Sequence, residues 1–313
     1  MGKLAFVFPG QGSQYVGMGS ELYRAHHQAR ETFEQAEKRL GLPIARLCFK
    51  GPESELSLTA NTQPAILTVS LAAWRIVDSE GIKPDVVAGH SLGEYSALVA
   101  AGCLGLGDAA YAVRRRGELM QEAVPVGQGA MAAIIGMGTE EVASICCAAA
   151  EGEVLELANV NCPGQIVIAG QVGAVGRAVE IARKRGAKRA LRLQVSAPFH
   201  SSLMRPAQDG MRGVLAAIPF GPLAVPLVNN ADVELLRDGE AARRGLVKQV
   251  VSPVRWEETV RRVVEMGIDT VVEFGPGRVL CGLIKRIDRS VACLNVEDVE
   301  SLGATLSALR MEE

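Results

Sequence analysis

The chain has 313 residues, 48% of them hydrophobic and 22% charged, with a formal net charge of -2. That length supplies a core for one large domain or two modest ones, and the balance excludes a disordered tail protein and gives no reason to expect a nucleic-acid partner. The seven cysteines (48, 103, 146, 147, 162, 281 and 293) are odd in number and include no C-x-x-C, so they read as reduced core residues of a cytoplasmic protein rather than a disulfide framework or zinc cluster.

The first element is "LAFVFP" (4–9), a short apolar run ended by Pro-Gly, as a buried strand feeding a loop would be. It is too short for a signal-peptide core or a membrane span, and Phe6 breaks the myristoylation pattern. The loop "PGQGSQ" (9–14) is not a dinucleotide fingerprint, because position 15, where a third glycine would fall, is Tyr. It either supplies a backbone N–H to a site or merely turns the chain. Residues 63–81 predict a helix with Pro64 in its first turn and Gly81 as its stop, and "KPDVVAGHS" (83–91) predicts a strand ending at Ser91. Strand, tight turn and helix are the local grammar of an α/β sheet with its site at the strands' carboxyl ends.

Residues 126–197 read as strand, helix, strand, strand, helix, strand, the last being "RALRLQVS" (189–196). This βαββαβ order is the ferredoxin-like unit, inserted as a small subdomain between 1–125 and 198–313 of a larger one. The larger unit then resumes with a strand at 224–230, a helix at 256–267, a strand at 270–275, a helix at 279–287, and a last strand and helix.

"GHSLG" (89–93) fits G-x-S-x-G, the nucleophile elbow, in which a sharp strand-to-helix turn exposes the serine and two glycines let strand and helix approach. The alternative is a chance match in a loop, which the preceding strand and following helix argue against. Of the four histidines, His26 and His27 lie in a polar helical stretch, and His90 adjoins the serine on the turn and should point elsewhere. His200, in "SAPFHSSLM", remains as candidate base, with an ordinary partly buried histidine as the alternative. The acidic residues between Ser91 and His200, such as Asp108, Glu118, Glu140 and Glu180, fall in helical patterns. The third member is therefore expected not to be a carboxylate; a backbone carbonyl could hold the imidazole in the right tautomer instead, which suits a Ser-His dyad.

Together "FVFPGQGSQ", "TQPAILTVS", "GHSLGEYSALVAAG", "RRRGELMQEAVPVGQGAMAAIIG", "NVNCPGQIVIAG", "VSAPFHSSLM", "VKQVVSPVRWEETV" and "FGPGRVLCGLIKRI" resemble the malonyl-CoA:acyl carrier protein transacylases of bacterial fatty-acid synthesis. They are also similar to the acyltransferase domains of polyketide synthases. The resemblance runs in order from Phe6 to about Ile287. It implies an α/β-hydrolase-like large domain with the ferredoxin-like insertion, and a transferase that takes malonyl-CoA and acyl carrier protein and needs no cofactor or metal. It implies further that Ser91 is the acylated nucleophile, His200 its base, and Gln11 and Leu92 the donors of an oxyanion hole. Arg116 would bind the malonyl carboxylate, and the Gln249 carbonyl would orient the histidine.

A guanidinium can hold both oxygens of a carboxylate in a low-dielectric cleft, yet without the resemblance Arg116 too reads as a solvated basic face. Arg114 and Arg115 keep that reading, since successive residues turn about 100° on a helix and point elsewhere. Phe199 before the histidine and Leu92 after the serine resemble the malonyl-selective pattern of related polyketide acyltransferases, which implies that Phe199 crowds the acyl α-carbon; simple aromatic packing is the alternative. Carrier protein is acidic, so the basic run "RKRGAKRALR" (183–192) is a candidate docking patch, with Lys188 and Arg189 foremost; a solvated helix end is the plainer reading. A monomer with no membrane partner is expected. The rivals are a trans-acting polyketide acyltransferase, a serine thioesterase or esterase, and a non-catalytic scaffold.

Overall fold

The computed structural model describes residues 2–195 and 197–311. Its strands are β1 (Lys3–Phe8), β2 (Val86–Gly89), β3 (Gly129–Ile135), β4 (Leu155–Cys162), β5 (Gln165–Gln171), β6 (Arg189–Arg192), β7 (Leu227–Val228), β8 (Leu235–Leu236), β9 (Ile268–Phe274) and β10 (Ala292–Val296). They form two sheets, one of order β10-β9-β1-β2-β7-β8 and one of order β4-β5-β3-β6.

In the larger sheet every pair is parallel except β7 with β8. Strand β1 shows why its central strands are apolar throughout. Leu4, Phe6 and Phe8 pack in one core with the helices Thr59–Ser79 and Leu106–Glu122, while Ala5 and Val7 pack in another with Trp256–Glu265 and Val279–Ile287. Side chains alternate faces along a strand, and both faces are covered, so no polar alternation is left in the sequence.

The smaller sheet is antiparallel throughout. Its order is that of a ferredoxin-like unit, as the sequence predicts. Ala130, Ala132, Ile134, Ile166 and Ile168 form a core with the helices Thr139–Ala150 and Val172–Lys184. The alternate residues Met131, Val167 and Ala169 join the core of the larger unit. The two units are stitched where Val160 N–H donates to Val254 O and Val254 N–H to Ala158 O, both at 2.9 Å.

Four sequence expectations are corrected. The helix expected at 63–81 spans Thr59–Ser79, which leaves Pro64 inside it. Proline has no N–H to give the Ala60 carbonyl one turn earlier, and Arg114 Nη1 donates to that carbonyl instead at 3.1 Å. The strand expected at 189–196 ends at Arg192, because the chain leaves the sheet edge to carry 199 and 200 toward the other unit; Ser196 lies outside the described residues. The strand expected at 224–230 shrinks to Leu227–Val228, since the side chains of Asn229 and Asn230 bond to neighbouring loops. Finally, not every cysteine is in a core: Cys147 is exposed and Cys293 half-buried. Cys147 follows buried Cys146 on an amphipathic helix, where the next residue turns about 100° toward solvent. No helix among the described residues is long and apolar enough to cross a membrane.

Candidate active site

Strand β2 stops at Gly89 and the helix Gly93–Ala100 begins four residues later, with Ser91 between them at φ 53°. That left-handed conformation is strained for a residue with a Cβ. The two glycines permit it. A Cβ on Gly89 would sit 2.0 Å from the Gly93 carbonyl, and one on Gly93 would sit 2.0 Å from the Phe8 carbonyl oxygen. The turn is braced by Asn230, whose Oδ1 accepts from Ser91 N–H at 2.7 Å while its Nδ2 donates to Gly89 O at 2.7 Å.

Ser91 Oγ lies 2.7 Å from His200 Nε2. The histidine is 4% exposed and itself strained, at φ 59°. Its Nδ1 lies 3.0 Å from Gln249 O and 3.2 Å from Ser252 O. Two carbonyls can only accept, so Nδ1 carries the proton and Nε2 presents a lone pair to the serine hydroxyl. Burial, and secondarily the nearby Arg116 charge, push the imidazole pKa down to about 3. The ring is therefore a neutral acceptor at ordinary pH. A carbonyl in the place of a triad acid is what the sequence predicts; the second one, from Ser252, it does not.

Arg116 is 2% exposed, a guanidinium held inside the protein. Its Nη2 donates to Ser91 Oγ and to Gln249 Oε1, each at 3.0 Å, and its Nη1 donates to Gln63 Oε1 at 2.9 Å. Its Nε has no partner among the described residues. Arg114 and Arg115, by contrast, both pair with Glu118. They are half-buried rather than fully solvated, and they point away from Ser91 as the helical geometry requires.

A cavity of about 270 Å3 opens over these groups. Gln11, Leu92 and Phe199 line it together with Ser91, Arg116 and His200. The backbone N–H groups of Gln11 and Leu92 make no hydrogen bond among the described residues. From the smaller unit Met131, Ala133, Val167 and Asn161 close the cavity. His90 turns away from the serine: its Nε2 lies 2.9 Å from Asn161 Oδ1, and its ring meets Trp256 edge-on at 5.7 Å. His26 is half-buried and His27 exposed, both on the outside of the larger unit. Lys188 and Arg189 are exposed at the start of the edge strand β6 and do not line the cavity, although Leu193 and Val195 beyond that strand do.

Asn230, Gln63, Ser252 and Glu94 also belong to this site; the last three fall inside stretches that carry the resemblance, but no sequence pattern assigns any of the four a role. The paired asparagines that end an apolar strand at 229 and 230 are the one visible signal, since a buried strand end has little other use for two amides.

Residues 5–305 match the acyl transferase domain family. The chain belongs to that family. Among its curated relatives is the malonyl CoA-acyl carrier protein transacylase of Bacillus subtilis, 46% identical over 313 residues, which are 100% of this chain and 99% of the relative. The transacylase of the same name from Escherichia coli K12 is 47% identical over 98% of this chain and 99% of its own. Among solved structures, the malonyl CoA-acyl carrier protein transacylase of Coxiella burnetii superposes with a TM-score of 0.96 at 45% identity, covering 98% of this acyl transferase and 97% of that chain. A malonyl-transacylase solved in complex with its type II polyketide acyl carrier protein gives 0.96 at 47% identity, covering 98% and 99%. The α/β architecture with a second small sheet is thus that of malonyl transacylases.

Proposed function

We propose that this acyl transferase moves the malonyl group from malonyl-CoA to the phosphopantetheine thiol of acyl carrier protein, by a ping-pong route through malonyl-Ser91. The carrying observation is that one hydroxyl, Ser91 Oγ, lies against both a neutral imidazole and a buried guanidinium. A hydrolase needs only the first.

In the first half-reaction His200 Nε2 takes the hydroxyl proton while Ser91 Oγ bonds to the thioester carbon. The N–H groups of Gln11 and Leu92 receive the oxyanion, and donors fixed in advance lose little by reorganising. The C–S bond then breaks and the coenzyme A thiolate takes the proton back from His200. The carrier thiol repeats these steps in reverse. Arg116 holds the malonyl carboxylate: its Nε is unpartnered, and its Nη2 contact with Ser91 Oγ is free to change once that oxygen becomes an ester. Phe199 crowds the α-carbon and favours malonyl over a branched acyl group. Lys188 and Arg189 attract the acidic carrier along β6.

The chemistry closes on these side chains and two thioesters, so it calls for no cofactor or metal. We read the protein as a cytoplasmic monomer with no nucleic-acid or membrane partner, its small subdomain spanning 126–197. The complex of a similar transacylase with a polyketide carrier favours a second reading, in which the acceptor serves polyketide rather than fatty-acid synthesis.

Intact-protein mass spectrometry after brief mixing with malonyl-CoA tests the proposal. Wild type should gain a malonyl adduct that holo acyl carrier protein discharges, and Ser91→Ala should gain none. An adduct lost to water at the same rate with or without the carrier would instead make the protein a thioesterase.

A further inference from the structure

Glu94 is 1% exposed, on the first turn of the helix that follows the elbow, and makes no ion pair among the described residues. Burial pushes its carboxyl up to about 7, against the opposing pull of its hydrogen bonds and the Arg116 charge. A carboxyl kept inside a protein without a contacting cation destabilises the fold unless its bonds are well made. Here a single oxygen, Oε2, accepts both from Asn230 N–H and from Gln249 Nε2, each at 2.9 Å.

The Gln249 amide has a donor end and an acceptor end, and the surroundings fix which faces where. Its Nε2 donates to Glu94 Oε2 and to Ser91 O, the latter at 3.0 Å, so both N–H groups of that nitrogen are used. Its Oε1 therefore faces Arg116 Nη2. Flipping the amide would set donor against donor at the arginine and acceptor against acceptors at the other end. The guanidinium plane is thereby held from one side by Gln249 and from the other by Gln63.

We propose that Glu94 is a positioning residue for substrate selection, aiming Arg116 through the side-chain amide of Gln249. The inference rests on the reading that Arg116 takes the malonyl carboxylate. The intervening amide has a specific use. A carboxylate in direct contact with Arg116 would occupy the donors that the substrate needs, whereas one held a residue away orients the guanidinium and leaves Nε unpaired. The rival account is structural: an acidic residue in a first helical turn is favoured by the helix dipole wherever it occurs.

The two accounts separate in the ratio of acylation rates with malonyl-CoA and acetyl-CoA, since only the first carries a carboxylate. Single-turnover adduct formation would be followed in wild type, Glu94→Ala, Glu94→Gln and Arg116→Ala. The positioning role predicts that Glu94→Ala lowers the malonyl rate about tenfold while the acetyl rate holds. Glu94→Gln, whose amide oxygen can accept the same two bonds, should restore the malonyl rate. Equal losses with both substrates, or no loss, would overturn the proposal. Should Glu94→Ala fail to fold, Gln249→Met removes the relay and keeps the backbone carbonyl; an unchanged malonyl to acetyl ratio there overturns the proposal as well. Arg116→Ala is the control for the underlying reading. If it leaves the ratio untouched, the carboxylate assignment has failed; if it collapses the ratio while the Glu94 and Gln249 variants do not, only the Glu94 inference has.

Discussion

The two units meet over one cavity and contribute differently to it. The larger one supplies each side chain that bonds to Ser91 Oγ, namely His200 and Arg116, and the groups that hold those in turn. The smaller one supplies a wall: Met131, Ala133 and Val167 on one face of an antiparallel sheet, with the edge strand β6 leading toward it. The difference follows from the sheets. Parallel strands end together at one edge, where strained turns such as that at Ser91 can be braced from neighbouring loops. An antiparallel sheet offers a flat face and a free edge, suited to shaping access and meeting a second protein. Damage to the larger unit should therefore stop acyl transfer outright, and damage to the smaller should change which molecules take part.

The sharpest break is His200→Ala, which removes the proton acceptor; the rate of malonyl-adduct formation should fall about 10²–10⁴-fold in a quenched mass-spectrometric time course. Arg116→Ala comes next, with a loss of about 10–100-fold for malonyl-CoA, in keeping with a charge-assisted bond. The same variant shifts the pH profile in a defined direction. On the proposed mechanism acylation needs unprotonated His200, whose pKa is held near 3, so the wild-type rate should fall only toward that pH. Arg116 is one cause of the low value, and its removal should move the acid limb to higher pH. An unmoved limb would mean that the arginine does not act on the histidine.

Phe199→Val sits at the boundary between the two behaviours. It should admit methylmalonyl-CoA at a gain of about 10-fold, within the 1–3 kcal/mol that one methyl is worth, with malonyl transfer largely kept. The smallest effect on chemistry is expected from Lys188→Glu with Arg189→Glu on the edge strand. Adduct formation from malonyl-CoA should be unchanged, while kcat/KM for the carrier protein falls and loses its salt dependence in stopped-flow transfer. A slower first half-reaction in that variant would contradict the division between the units.

Much of this is legible in the sequence. Local rules located the elbow, because the G-x-S-x-G spacing is short and Gly89 answers to the nearby Gly93, although the demand on Gly93 itself comes from Phe8 on a distant strand. The βαββαβ order of 126–197 was readable for the same reason, as periodicity is a local property. Pro64 reads as a helix start in the sequence and yet lies within the helix, because its missing bond is made good by Arg114, about fifty residues away. Ser252 and Asn230 escaped notice because a carbonyl or an amide becomes part of a site only when folding brings it there.

The sequence by itself determined the fold class, the strained serine and the family, since each rests on residue types at short fixed spacing. Only the tertiary structure decided which histidine faces the serine, that Arg116 alone of three adjacent arginines turns inward, and that Glu94, Gln249 and Asn230 join into one network. Those contacts join residues up to 155 positions apart. They depend on how two sheets and their loops close in space, and no periodicity along the chain encodes them.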